Sequence, residues 1–166
     1  MVMENHGIFL YNFNMNNLKE YISEKLKINK NTEVNKFNYH PKDRYELISL
    51  IKELIKERGL EADLNDIDVS NITRMNAVFY KSEFNGNISK WDVSNVTNMR
   101  EMFYDSKFNQ DISSWDVSKV ENMDWMFYGS DFNGNISSWD VSNVTDMNFM
   151  FNNSPLQNNP PHWYHE

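Results

Sequence analysis

The chain has 166 residues, 40% of them hydrophobic, and a formal net charge of −8. It contains no cysteine, which excludes disulfides, thiolate metal sites and cysteine nucleophiles. Its first residues lack the basic start and long apolar segment of a signal peptide, and no apolar run has the length of a membrane span. We expect no membrane insertion and a cytoplasmic location for the sequence as written, or the cell surface if it is a piece of a longer exported protein.

The charge is distributed unevenly along the chain. Residues 1–62 contain ten Lys or Arg and nine Asp or Glu, a net charge of +1, whereas residues 63–166 contain six and fifteen, a net charge of −9. An acidic surface repels phosphate groups, which argues against direct binding to nucleic acid or anionic membranes. We expect instead a protein partner with a basic surface.

The N-terminal residues 1–62 predict a strand and helix cap region. Residues 7–13 read as a strand and residues 16–27 as an amphipathic helix. A second helix is predicted with Pro41 at its first position and a stop at Arg58 and Gly59. Its apolar stripe consists of Leu47, Ile48, Leu50, Ile51, Leu54 and Ile55. We expect the second helix to cover the open end of the first repeat unit. The strand and helix before it could enlarge this cap, or they could form a separate partner-binding module.

A repeat with a period of 24 residues comes after the N-terminal region. Trp91, Trp115 and Trp139 are 24 residues apart, with Ile67 and Trp163 in the same column. A second column with this spacing consists of Phe79, Phe103, Phe127 and Phe151. Because a fixed period of this length is the signature of repeat architectures, we predict four stacked units over residues 63–159 and a tail over residues 160–166.

The apolar spacing within one unit predicts its local structure. Val96, Met99, Met102 and Phe103 fall on one face of a short helical turn, and the following apolar residues fall in an extended segment. Two sets of residues are alternative N-caps for the helical turn: the serines Ser94, Ser118 and Ser142, or the threonines Thr97 and Thr145.

Polar residues also recur in columns. One column consists of Asp68, Asp92, Asp116 and Asp140, and another of Asn85, Asn109 and Asn133, with Gln157 in the fourth copy. Such columns could supply calcium ligands or catalytic acids, or they could bond the amides of every turn. We expect the second role, because a chemical role needed once is rarely copied at every turn.

The units FNGNISKWDVSNVTNMREMF and FNQDISSWDVSKVENMDWMF resemble the repeat of the BspA-like leucine-rich-repeat surface proteins of bacteria, over about residues 64–156. The resemblance implies a leucine-rich-repeat-like solenoid used for protein binding or adhesion, without known chemistry. The predicted fold is therefore an α/β repeat, a short solenoid of four 24-residue units with an N-terminal helical (α+β) cap.

The C-terminal tail contains residues that invite a metal interpretation. Where another unit would place FNQDISSW, the chain has LQNNPPHW, and its two prolines forbid a further regular ladder strand. His162, His165 and Glu166 are three donors on a tail beside these prolines, which does not favour a metal site. We expect no metal and no cofactor.

Residues that vary between the units are the candidates for partner binding. The column Ala77, Glu101, Trp125, Phe149 points away from the apolar face when it is drawn on a helical wheel. We predict a partner-binding surface, and its residues are Trp125, Phe149, Tyr80, Tyr104, Tyr128 and Glu101. The alternative is that the N-terminal segment or a dimer mate covers them, so a homodimer is left open.

Catalytic motifs are missing from the sequence. There is no phosphate-binding glycine loop, nucleophile elbow or HExxH motif, and the four histidines lie outside the repeats. We therefore expect a protein that is not an enzyme and that acts through protein–protein interaction. One form is a phage or mobile-element inhibitor that docks on a basic target; the alternative is an adhesive or structural fragment of a bacterial surface protein.

Overall fold

The computed structural model describes residues 37–165. One α-helix, α1, spans Arg44–Arg58, and a short 3-10 helix spans Pro155–Gln157. The other described residues form turns and bends that are joined by isolated parallel bridges. The strand predicted over residues 7–13 and the helix predicted over residues 16–27 lie outside the described residues.

Helix α1 begins and ends with local signals that its sequence supplies. The side chain of Asp43 accepts hydrogen bonds from two main-chain N–H groups of the first turn. Gly59 ends the helix with φ of 92°, a value that favours glycine, and donates its N–H to Ile55. Pro41 lies before the helix, so its predicted place at the first helical position is wrong. The buried face consists of Leu47, Leu50, Ile51 and Leu54.

Side-chain hydrogen bonds fasten α1 to the first repeat. The two terminal nitrogens of Arg58 donate to the two carboxylate oxygens of Asp66 at 3.0 and 3.1 Å. Asn38 donates to the same carboxylate at 2.8 Å. Burial acts to raise the pKa of Asp66, but the hydrogen bonds from Arg58 and Asn38 lower it below its ordinary value overall. At the other end of the helix, Arg44 donates to the carbonyl of Asn76.

Main-chain hydrogen bonds join each repeat to the next. Parallel bridges connect Arg74, Asn98, Asn122 and Asp146, which occupy equivalent positions in four successive repeats. Within this ladder, alternate residues donate their N–H to the following repeat. From the second repeat to the third, the donors at residues 99, 101, 103 and 105 reach the carbonyls of residues 122, 124, 126 and 128 at 2.7 to 2.9 Å. The repeats are therefore stacked in register.

The core of the stack is built from columns of identical aromatic side chains. Neighbouring rings in the column Phe79, Phe103, Phe127, Phe151 are nearly parallel, with centroids 5.4, 5.4 and 5.9 Å apart. Trp91, Trp115, Trp139 and Trp163 each donate the indole N–H to a carbonyl 27 residues earlier, at 2.9 to 3.3 Å. These bonds satisfy the polar atom of each indole while its ring packs in the core.

The predicted fold class is wrong. Residues 37–165 contain a single α-helix, no strand and no sheet, so the chain is not an α/β repeat solenoid with a helical cap. The segment predicted as a helical turn is a series of overlapping turns, in which Met102 donates to Met99. The predicted caps bond elsewhere: the hydroxyl of Ser94 donates to Asp92, and that of Thr97 to Thr73.

A helix fails to form because the backbone takes a left-handed conformation twice in every repeat. The first position, with φ of 55 to 59°, consists of Ala77, Glu101, Trp125 and Phe149. The second, with φ of 51 to 64°, consists of Lys81, Asp105, Gly129 and Asn153. A residue other than glycine loses about 1 to 2 kcal/mol in this conformation. In the first three repeats the N–H of both positions donates to the next repeat, which offsets that loss.

The second left-handed position gives a stability prediction. A methyl group added at Gly129 would come no closer than 3.5 Å to a neighbouring atom, so the cost of alanine arises from φ alone. Gly129→Ala should lower the free energy of unfolding by about 1 kcal/mol, measured by urea denaturation. Gly129→Asn is the matched control, because Asn153 adopts this conformation in the next repeat and the substitution should cost less. Equal costs for the two variants would contradict the explanation.

The link between α1 and the first repeat gives a prediction about pH. Because the pKa of Asp66 is lowered in the folded chain, its stabilisation is present above the unfolded value of about 3.9 and is lost as the pH falls through the folded value. Asp66→Asn should cost about 1 kcal/mol at pH 7, since solvent partly screens the pair, and less at about pH 3. Arg58→Gln should show the same trend in urea denaturation. An undiminished cost of Asp66→Asn at low pH would rule this role out.

Candidate functional site

Five aromatic side chains form a continuous strip on the outer side of the repeats. We call this set the aromatic strip, and it consists of Tyr80, Tyr104, Tyr128, Trp125 and Phe149. The rings of Tyr80 and Tyr104 stack with centroids 4.9 Å apart, and those of Tyr104 and Tyr128 with centroids 5.0 Å apart. The ring centroid of Trp125 lies 5.0 Å from that of Tyr128 and 4.9 Å from that of Phe149. The structure therefore brings together the five aromatic residues that the sequence singled out.

The aromatic strip is accessible to solvent. Phe149 is 49% exposed and Tyr80 is 43% exposed, whereas the rings between them are half-buried against one another. Aromatic side chains that remain this exposed while touching each other are unusual on a soluble surface and are typical of interaction sites. Whether they bind a partner remains a prediction.

The left-handed backbone positions the outer residues of the strip. Trp125 and Phe149 occupy the first left-handed position of their repeats, while the next two residues of each repeat are buried in the core. The N–H of Trp125 donates to the carbonyl of Asn148 at 3.0 Å, which fixes the backbone from which the indole projects. The helical wheel therefore identified outward-facing residues even though the backbone is not helical.

Glu101 occupies the same column but differs from the aromatic residues in its contacts. Its carboxylate forms an ion pair with the neighbouring Arg100, with Nη2 and Oε1 2.8 Å apart. A partner that approached this carboxylate would have to compete with Arg100.

The charges around the strip change along the stack. At the first repeat, Lys81 lies 5.6 Å from the ring centroid of Tyr80 and 3.9 Å from the carboxylate of Asp105. Residues 120–165 contain five acidic residues and neither Lys nor Arg. The pKa of Tyr104 is raised, mainly because its phenol is partly shielded from water and also because of the neighbouring phenols of Tyr128 and Tyr80. Tyr104 therefore adds no charge to the strip near pH 7. The end of the strip that contains Trp125 and Phe149 is thus the acidic end.

The polar columns are engaged in the turns. Each aspartate of the column accepts a hydrogen bond from the N–H of the serine two residues later, at 3.0 to 3.1 Å. The side-chain oxygen of Asn85 accepts from the N–H of Asn109, and that of Asn109 from Asn133, both at 2.8 Å. Hydrogen bonds from Ser118 lower the pKa of Asp116. The aspartate oxygens stabilise their own turns, as the sequence predicted, whereas the asparagine oxygens bond one repeat to the next.

The histidines do not form part of a larger ligand cluster in the described structure. His162 and His165 are exposed, and Glu166 lies outside the described residues. His40 is bonded to Asp68, with 2.9 Å between Nδ1 and the carboxylate oxygen. Within residues 37–165 no three His, Cys, Asp or Glu side chains are grouped so that they could hold a metal ion.

A cleft beside the aromatic strip was not predicted from the sequence. This C-terminal cleft has a volume of about 500 Å³ and is lined by Thr145, Met147, Asn148, Phe149, Asn152, Tyr164 and His165. The side-chain oxygen of Asn152 is buried and has no donor in the described structure. The one sequence signal for it is the break in the tyrosine column, where Asn152 follows Tyr80, Tyr104 and Tyr128 at the same spacing.

No helix within residues 37–165 combines the length and the apolar character needed to cross a membrane.

Comparison with known proteins identifies the family of the chain. No curated protein and no solved structure matches the chain. A family described as "Mycoplasma protein of unknown function, DUF285" matches residues 49–163, a span that includes all four repeats. The match agrees loosely with the resemblance to BspA-like surface proteins. The chain belongs to this DUF285 family of Mycoplasma proteins of unknown function.

Proposed function

We propose that the chain is a non-enzymatic protein-binding module that docks the aromatic strip onto a partner with a basic surface. The observation that carries the proposal is the continuity of the strip, whose five rings are in mutual contact while Tyr80 and Phe149 stay nearly half exposed. Large aromatic side chains are the residues that most often supply the binding energy of protein interfaces.

The rigidity of the strip supports this role. The stacked rings restrict one another, and the main-chain ladder beneath them fixes the spacing of their Cα atoms. Binding would therefore immobilise few additional side-chain rotamers, and the associated loss of entropy is small.

The charge of the last repeats supports a basic partner. The five acidic residues at positions 120–165 are Glu121, Asp124, Asp131, Asp140 and Asp146. In the part of the chain that is described, one of them, Asp131, forms an ion pair, with Lys107 at 3.2 Å. The others leave a negative potential that would attract a lysine- or arginine-rich surface and repel an acidic one.

The absence of catalysis is part of the proposal and is supported by the state of the acidic side chains. The aspartates that recur in every repeat accept hydrogen bonds from turn amides, so their role is already explained by folding.

A second candidate function is an adhesive or structural role on a bacterial surface. The family match favours it over an inhibitor from a phage or mobile element, because that match agrees with the resemblance to surface proteins.

The proposal is tested by shortening the two outer residues of the strip. Trp125→Ala combined with Phe149→Ala should leave the fold intact, because Ala77 adopts the same left-handed conformation in the first repeat. The variant should capture at least tenfold less partner from a lysate of the source organism, and capture by the unaltered chain should weaken with added salt. Thermal unfolding followed by circular dichroism checks the fold.

Tyr45→Ala is the matched control for this experiment. Tyr45 is the most exposed of the large hydrophobic side chains described, at 69%, and it lies on α1 outside the strip. Its removal should not reduce capture. Equal losses for Tyr45→Ala and the strip variant, or unchanged capture by the strip variant, would refute the proposed surface. Sedimentation of the unaltered chain shows whether a second copy covers the strip instead.

A further inference from the structure

In the part of the chain that the structure describes, the last repeat has three main-chain N–H groups without acceptors, at positions where the earlier repeats continue the ladder. In the first three repeats the equivalent N–H groups donate to the next repeat. In the last repeat the corresponding residues are Met147, Phe149, Phe151 and Asn153. The N–H of Asn153 donates to the side-chain oxygen of Gln157 at 2.7 Å. The other three have no acceptor within residues 37–165.

Two of these three residues line a cleft that could hold a ligand. Met147 and Phe149 line the C-terminal cleft, whereas Phe151 is packed beneath the rings of Trp163 and Tyr164. The same cleft is lined by Asn152, whose buried side-chain oxygen has no donor among the described residues. A buried side-chain oxygen that is left unbonded is costly. Unpaired N–H groups along the edge of a ladder are a template for pairing with another chain, so both features mark positions where a partner can supply the missing bond.

The combination of donors and acceptor indicates the chemistry of the occupant. The N–H groups of Met147 and Phe149 require oxygen acceptors, and Asn152 requires a donor. A peptide backbone supplies both, at a spacing that main-chain ladders already use throughout this fold. A free anion would supply acceptors alone, and it would be repelled by the acidic residues of the last two repeats.

We propose that this edge binds an extended segment of a partner protein by main-chain hydrogen bonds, and that the segment carries lysine or arginine. The inference rests on the proposed function and deepens it, since Phe149 belongs both to the aromatic strip and to the cleft. Carbonyls of the segment accept from Met147 and Phe149, while its basic side chains lie over Asp146 and the neighbouring acidic residues. The aromatic ring of Phe149 packs against the aliphatic parts of those side chains.

A second copy of the chain fits this edge less well. The carbonyls that would match it lie on the first repeat, around Asn76. That carbonyl already accepts from Arg44, and α1 packs its buried leucines into the core at the same end. A repeat stacked there from another copy would have to displace the helix.

Amide hydrogen exchange of the full chain tests the proposal. The probe is a short peptide of alternating lysine and valine, blocked at both ends, with a peptide of alternating glutamate and valine as the charge control. At saturation the lysine peptide should slow exchange of the Met147 and Phe149 amides at least tenfold. The Met123 and Trp125 amides, which are already bonded to the last repeat, should change little. The glutamate peptide should leave all four unchanged.

Charge variants provide a second readout. Asp146→Lys should weaken binding of the lysine peptide about tenfold at low salt, because it replaces an attraction by a repulsion beside the edge. Glu57→Lys makes the same change of charge on α1, at the other end of the stack, and should have little effect.

Three results would overturn the edge proposal. In the first, the lysine peptide binds and changes the tryptophan fluorescence while the Met147 and Phe149 amides exchange as before; the aromatic strip would then remain the binding surface. In the second, the lysine peptide fails to bind at millimolar concentration. The edge proposal is then wrong, and the proposed function of the aromatic strip is still tested separately by the capture experiment. In the third, both amides are protected in the free chain and sedimentation shows a dimer, so that a second copy occupies the edge.

Discussion

The ladder of main-chain hydrogen bonds between repeats is the interaction on which the structure depends. Alternate N–H groups of one repeat donate to carbonyls of the next, so one edge of a repeat carries donors and the other carries acceptors. A single repeat can satisfy neither edge, and stacking satisfies both. In the first three repeats the same ladder bonds the N–H of both left-handed residues, and it sets the spacing of the phenylalanine column at 5.4 to 5.9 Å. Core packing and outer surface both follow from it.

The sequence predicted the composition of the core better than its backbone. The 24-residue spacing of Trp91 and Trp115 identified buried columns, because burial repeats wherever the chain repeats. The secondary structure was wrong for a physical reason. An apolar pattern reports which side chains are buried and not where the N–H groups point, and overlapping turns bury the same residues as a helical turn would. A signal for turns was present at the second left-handed position, where Asp105, Gly129 and Asn153 all tolerate positive φ.

The candidate site could be predicted only where it depends on side chains. The aromatic strip was visible because its residues interrupt or extend columns in the repeat, and their outward direction survives the change from helix to turns. The cleft and the unbonded N–H groups were not visible. Both features arise because the last repeat has no following repeat to accept its hydrogen bonds. The repeat pattern in the sequence predicts the same hydrogen bonds for every unit and therefore does not reveal this difference. The isolated oxygen of Asn152 is likewise a property of its surroundings.

The direction of the ladder makes the two ends of the stack chemically different. The end with the first repeat exposes carbonyls, and there the chain places α1, the donor Arg44 and the bidentate pair of Arg58 and Asp66. The end with the last repeat exposes N–H donors, and of these Gln157 satisfies one within the described residues. Charge follows the same direction, since the last positive side chain along the sequence is Lys119. An acidic end that is rich in main-chain donors and carries exposed aromatic rings is suited to bind a basic peptide, and the opposite end is already occupied by the chain's own helix.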